Sequence, residues 1–431
     1  MAVLLHSASR ISTVRFNLPP RSPAHVRRRL LPFRCLSSSV PFPANDARYR
    51  RELEAATDVV EQACRLCVDV KKALFSGDGQ ILEKTDQTPV TVADFGVQSS
   101  CFFIVSPELG NLFPFIPLVA EEDSASIRST DLVGYVVDAV TDQASSEGHP
   151  LTKGDVLEAI DRGGKNDFSM GSQPASYWVL DPIDGTRGFL KGRESLYVVG
   201  LALVVGGEVV SGAMGCPNWQ QDLSNVTNDG LQEYEISNAR SEIIMVSHVG
   251  CGTWTKRLPP QLSNTSAKEA YWTRCFVDGF SAVHEARFCI PESQTWETLP
   301  LSTSVKARME TDTPGGGKIV LLPTCCGSLC KYMMVASGRA STYILRTRTQ
   351  TSIKAWDHAA GMICVHEAGG KVTDWEGSQI HLAADAAERR IIFARGGVIV
   401  SNGNLHDKIL GITTSGSSSI LEEAQDLIKK S

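Results

Sequence analysis

Asp181-Pro182-Ile183-Asp184-Gly185-Thr186 follows directly on the short apolar run Tyr177-Trp178-Val179-Leu180. A buried strand that ends on two acids three residues apart is an unusual local order. Pro182 fixes one backbone dihedral and Gly185 permits a tight turn, so both carboxylates can be aimed at one point. Backbone N–H groups released by the glycine turn can hold phosphate oxygens. The Thr186 hydroxyl can position an attacking water if a carboxylate accepts its proton, and Asp94 is the candidate partner.

The same punctuation recurs on both sides of this segment. Leu118-Val119-Ala120 runs into Glu121-Glu122-Asp123, and Trp356 precedes Asp357. Glu121, Asp181, Asp184 and Asp357 together ask for a cation. An oxygen-only set without His or Cys favours Mg²⁺ over zinc, and two or more such ions can clamp a phosphoryl group. Asp357 stands just before a predicted helix (359–368), so it is also suited to act as its N-cap.

Around these acids the pattern is mixed α/β. Tyr49, Leu53, Ala56, Val60, Ala63, Cys67, Val70 and Leu74 recur at alternating steps of four and three, which predicts an amphipathic helix closed by Gly77 and Gly79. Thr88–Asp94 reads as an extended approach, with a helix from Phe95. Strands are predicted at 118–120, 177–180, 197–205, 208–215, 243–247, 318–322, 342–345 and 398–401, and Gly206-Gly207 turns one hairpin. A helix is expected near 152–161 inside an otherwise irregular stretch (124–176). Another begins near Asp357 and is capped by Gly369-Gly370, and a last one covers 417–430. Three regions follow: 1–45, an unstructured leader; 46–236, an α+β lobe with most of the acids; and 237–431, an α/β lobe.

The leader rests on composition. Residues 1–45 hold Arg10, Arg15, Arg21, Arg27, Arg28, Arg29 and Arg34 with no Asp, Glu or Lys. Arg-rich, Ser-rich and acid-free composition is that of an organelle transit peptide; the arginine density leans to mitochondrion, with chloroplast the alternative. Across the 431 residues, 42% are hydrophobic, 21% are charged and the net charge is -6. That is an ordinary globular balance and not that of a nucleic-acid coat. No apolar run suits a membrane span. The twelve cysteines are scattered and read as reduced thiols, and Cys64-x-x-Cys67 falls on a helix face. Gly315-Gly316-Gly317-Lys318 fails the phosphate-loop spacing and reads as a plain loop.

Val119–Asp123, Asp181–Thr186 and Trp356-Asp357-His358-Ala359-Ala360-Gly361 resemble, in order, the three signatures of the inositol monophosphatase superfamily. Within it, Thr88–Gln98, Thr186–Gly192, Gly215–Asn218 and His366–Gly370 are most similar to the 3'(2'),5'-bisphosphate nucleotidase branch. The resemblance covers the chain from about residue 47 to the end. It implies a layered αβαβα sugar-phosphatase fold with two lobes. It also implies a lithium-sensitive, Mg²⁺-dependent hydrolase with about two or three ions, whose substrate is 3'-phosphoadenosine 5'-phosphate (PAP). By the same resemblance Glu121, Asp181, Asp184, Asp357 and the Ile183 carbonyl hold metal. Asp94 and Thr186 activate water. Gly185, Thr186, His248, Ser328, Lys331, Arg346 and Asp357 contact the substrate, and Lys354 is a further basic candidate. Glu194-Ser195-Leu196-Tyr197 departs from the branch's usual pattern. The implied partner is a small bisphosphorylated nucleotide, with no nucleic acid and no membrane, and a monomer is expected. Two alternatives stand beside this reading: a phosphatase of the same fold acting on inositol or other sugar phosphates, and a non-catalytic PAP sensor.

Overall fold

A computed structural model of the chain describes residues 40–42, 47–76, 81–83, 89–104, 116–144, 151–163, 176–191, 195–219, 241–258, 271–291, 320–324, 327–347, 352–385 and 387–413. The predicted first helix is α1 (Arg50–Ser76). Leu53, Ala56, Val60, Ala63, Cys64 and Cys67 are all buried along one stripe, and each buried leucine or valine contributes about 2 kcal/mol. The nine described cysteines are free thiols. Burial pushes the Cys64 and Cys67 thiols well up, so the Cys-x-x-Cys is core packing.

A small hairpin, β1 (Ile81–Glu83) with β2 (Pro89–Thr91), leads into α2 (Val92–Ile104). That helix starts three residues earlier than expected and takes Asp94 into its first turn. A seven-stranded sheet follows: β3 (Leu118–Ala120), β4 (Ser176–Asp184), β5 (Val198–Val205), β6 (Glu208–Trp219), β7 (Ser241–His248), β8 (Gly252–Leu258) and β9 (Trp272–Cys275). Among the described residues two α-helices lie between β3 and β4: α3 (Leu132–Ala144) and α4 (Lys153–Asp161). Only α4 was expected. The signal for α3 is present in Leu132, Val133, Val136 and Val140, all buried against α2. After β4 comes the short α5 (Thr186–Leu190).

The division expected at 236/237 falls inside this sheet. β7 pairs with β6 from Ser211↔His248 to Trp219↔Ser241, and β8 and β9 continue the same sheet. A second sheet is built from β10 (Arg287–Pro291), β11 (Val320–Thr324), β12 (Thr342–Arg346), β14 (Gly370–Asp374) and β16 (Gly397–Asn402), in the order β11-β10-β12-β16-β14. β13 (Ile353–Lys354) and β15 (Ile391–Ile392) form a separate ribbon. Helices α6 (Leu329–Ala336) and α7 (Ala359–Glu367) are buried between the two sheets. α1 covers the outer face of the first sheet, and Leu405, Ile409 and Ile412 cover that of the second. The result is the expected αβαβα layering.

The expected leader lies outside the described residues except for 40–42. There Val40 and Phe42 are buried in the same core as α1, so packing begins inside the segment assigned to the leader. The 315–318 loop and the 417–430 helix also lie outside them. Among the described residues no helix is long and apolar enough to cross a membrane.

Candidate active site

The centre is one end of the first sheet. Asp181 pairs with Gly200 and Asp184 with Val198, and the register slips between the two acids. This bulge replaces the free turn expected after Leu180 and lets both carboxylates point the same way. Gly185 then takes a left-handed conformation (φ 89°), which only a glycine adopts without strain, and α5 begins. Asp357 joins from the turn after β13. Ligand atoms of Asp181, Asp184 and Asp357 lie within 4.8 Å of one another.

This cluster is electrostatically costly. Burial pushes the Asp181 carboxyl well above the usual range, and Glu121, Asp184, Asp357 and Asp94 push the same way. Burial, then Asp184 and Glu121, likewise raise Asp357, against its side-chain contact with the Asp181 carboxylate and against Lys354. Asp184 is raised to about 6, mainly by burial. Lys331 and two main-chain donors oppose that rise: Ser328 N and Leu329 N reach its two oxygens at 2.9 and 2.6 Å. Both oxygens of Asp181 are buried with no donor among the described residues. Buried acceptors are nearly always satisfied. Three crowded carboxylates, one of them wholly orphaned, are the donor set that a hard divalent cation requires. The residues therefore fit a bound metal.

Beside the cluster stands the pair expected to handle water. Thr91 N and Oγ1 donate to Asp94 Oδ2 at 2.8 and 2.6 Å. Thr186 Oγ1 lies 3.3 Å from Asp94 Oδ1 and 3.2 Å from the Ile183 carbonyl. Asp94 is thus held through one oxygen and faces Thr186 with the other. Ile183 lies at the cluster but here accepts from Thr186.

Asp357 does not cap α7. His358 takes that position with no side-chain cap bond, and the buried His358 ring meets Tyr332 OH at 2.8 Å through Nδ1. The Asp357 carboxylate is left to the cluster.

The residues expected to contact substrate divide. Ser328 and Lys331 adjoin Asp184: Ser328 Oγ meets Tyr343 OH at 3.2 Å, and the buried Lys331 ammonium donates to Gly327 O. Arg346 is exposed at the carboxyl end of β12, over the Trp375 ring at 5.7 Å. β10, β11 and β12 are parallel, so this is the edge that also carries the Gly327–Ser328 turn. His248 is not brought to the cluster. The Asp181 row reads Asp181–Gly200–Met214–Met245, whereas the His248 row reads Trp178–Leu203–Ser211–His248. His248 is thus about 10 Å away along the strands and about 14 Å across them. Its ring nitrogens are engaged by Tyr49 N at 3.1 Å and by Val249 O at 2.7 Å. It serves the packing of α1.

Sequence reasoning missed several supporting residues. Gln98 brackets the Glu122 peptide, accepting from its N and donating to its O, both at 2.8 Å. A Cβ on Gly327 would stand 2.2 Å from Asp184 Oδ2, so the chain can pass there only as glycine. Arg390 Nη2 donates to Glu121 O at 3.1 Å. Gln98 sat inside a quoted motif; the other two had no local signal.

Comparison with known proteins shows the family of the chain. Residues 53–417 match the family described as inositol monophosphatase family. An Arabidopsis thaliana protein, provisionally named a mitochondrial 3'(2'),5'-bisphosphate nucleotidase, is 55% identical over 96% of this chain and 99% of its own. A rice (Oryza sativa) 3'(2'),5'-bisphosphate nucleotidase is 30% identical over 89% of this chain and 96% of its own. A solved inositol monophosphatase from Anabaena aligns at 15% identity over 85% of this chain and 96% of that chain, with TM-score 0.47.

Proposed function

The chain belongs to the inositol monophosphatase family, and on that premise we propose that it is a Mg²⁺-dependent 3'(2'),5'-bisphosphate nucleotidase that converts PAP to AMP and phosphate. The observation that carries the chemistry is the orphaned Asp181 carboxylate among Asp184 and Asp357. The relatives' names support the substrate.

Glu121, Asp181, Asp184, Asp357 and the Ile183 carbonyl would hold Mg²⁺, in about two or three ions. Bound metal supplies charge stabilisation for the phosphoryl group and lowers the pKa of a water. The remaining work falls to the chain's own groups. Asp94, fixed by Thr91, orients the Thr186 hydroxyl. That pair accepts the water's proton as its oxygen attacks phosphorus; the bond to the 3'-oxygen breaks, its electron pair stays on that oxygen, and a proton from solvent completes the 3'-hydroxyl of AMP. Gly185 brings the main chain to the reacting phosphate. Ser328, Lys331 and Arg346 lie where a second anionic group could bind, and a planar guanidinium suits phosphate. His248 has no part in this.

The test is phosphate release from PAP, inositol 1-phosphate and fructose 1,6-bisphosphate, with and without Mg²⁺ and Li⁺. PAP should turn over fastest, only with Mg²⁺, and less with Li⁺. Turnover of inositol 1-phosphate with PAP untouched would overturn the substrate. PAP bound without turnover would make the protein a sensor. We further assign it to an organelle, the mitochondrion first, on the acid-free leader and the relative's name. Residues 1–45 fused to a fluorescent protein should report it, and a chloroplast signal would correct it.

A further inference from the structure

The proposed metal site is assembled from distant parts of the chain. Glu121 leaves β3, and Asp357 follows β13. One buried side chain touches both arms. Arg390 Nη2 donates to Glu121 O at 3.1 Å, and Nη1 reaches Gly163 O at 3.4 Å. Gly163 O also accepts from Ala120 N at 2.9 Å, so one guanidinium closes over the end of β3. The same group stacks on the ring of Trp356, next to Asp357, at 4.7 Å. Its own carbonyl accepts from Ala355 N at 2.8 Å.

Arg390 is in turn held rigidly. Asp385 receives Arg390 N and Ile391 N at 2.9 and 3.1 Å, and β15 pairs with β13. Gln98 grips the Glu122 peptide from the other side. A planar fork holds two carbonyls and a ring face in one fixed geometry, which a compact, freely rotating ammonium does less well. Groups that orient metal ligands without touching metal commonly change metal affinity by about 10- to 100-fold when lost.

We propose that Arg390 is a positioning residue that sets the Glu121 arm of the metal site against the Asp357 arm. This rests on the metal-site reading above. It is tested by Mn²⁺ binding to the full chain, followed by electron paramagnetic resonance of the free ion, for wild type, Arg390→Gln, Arg390→Lys and the control Arg287→Gln. Arg287 pairs with Asp278 and Gly338 O at the far end of β10. Arg390→Gln should weaken Mn²⁺ binding at least about tenfold and Arg390→Lys about threefold. Arg287→Gln should bind as wild type even where its melting temperature falls. The Mg²⁺ concentration for half-activation should rise in step, with kcat at saturating Mg²⁺ within about twofold of wild type. Unchanged Mn²⁺ affinity in the Arg390 variants, or an equal loss in Arg287→Gln, overturns the proposal. If Arg390→Gln does not fold, Arg390→Lys decides by the same measure. A wild type that binds no Mn²⁺ would defeat the metal-site reading instead.

Discussion

The two ends of the seven-stranded sheet are built from the same strands and treat polar groups in opposite ways. At the His248 end most polar side chains have found a partner, the buried Ser211 hydroxyl being an exception. Both His248 nitrogens are engaged, Thr253 donates to Cys364 O at 2.7 Å, and Glu367 receives Gly250 N and Gly252 N at 2.9 Å each. At the Asp181 end two buried oxygens have no donor, and three carboxylates repel one another. Satisfied groups stabilise the fold, while donorless carboxylate oxygens crowded by further acids mark where a cation completes it.

The sharpest way to break this contrast is at the acids. Asp94→Asn and Asp181→Asn should each lower PAP hydrolysis by at least about a thousandfold. Asp181→Asn should also leave the metal-free protein as stable as wild type or more so, because it removes a buried charge. A clear fall in its melting temperature in EDTA would show that the carboxylate has partners in the fold.

Acidity probes the same end. The folded Asp184 carboxyl sits at about 6 against an ordinary 3.8. Between those values the metal-free native state takes up a proton that the unfolded chain does not. Lowering the pH from above 6 towards 4 therefore stabilises it. The melting temperature in EDTA should rise from pH 7.5 to pH 5, and the gain from added Mg²⁺ should shrink over the same range. A metal-free protein that melts lower at pH 5 would break this account.

At the other end, His248→Ala should lower stability by about 1–3 kcal/mol, a few degrees in melting temperature, with KM for PAP unchanged. A raised KM would return His248 to the binding site. The smallest effect is expected at Arg346, where alanine should raise KM for PAP about two- to fivefold with no change in melting temperature. No change in KM would remove Arg346 from the substrate's reach.

The contrast also explains what the sequence made legible. Asp181–Thr186 could be read because its chemistry lies within six consecutive residues, and α1 because its apolar rhythm is local. The role of Asp357 was half legible: its place before a helix was right, but His358 caps the helix instead. His248 was misread because nothing local reveals that β7 pairs back onto β6. Its hydrogen bond to Tyr49 spans 199 residues. Arg390 lies 269 residues from Glu121, and contacts of that range leave no trace in spacing or periodicity.

The close approach of Gly327 to Asp184 carries a consequence for how such proteins drift. A single methyl group there would occupy the space of a carboxylate oxygen. The position is thus guarded by volume and needs no chemistry of its own. A duplicated copy that kept the fold but stopped hydrolysing its substrate would be free to acquire a side chain at 327 before it lost any acid. An alanine at that one place would be an early mark of retirement.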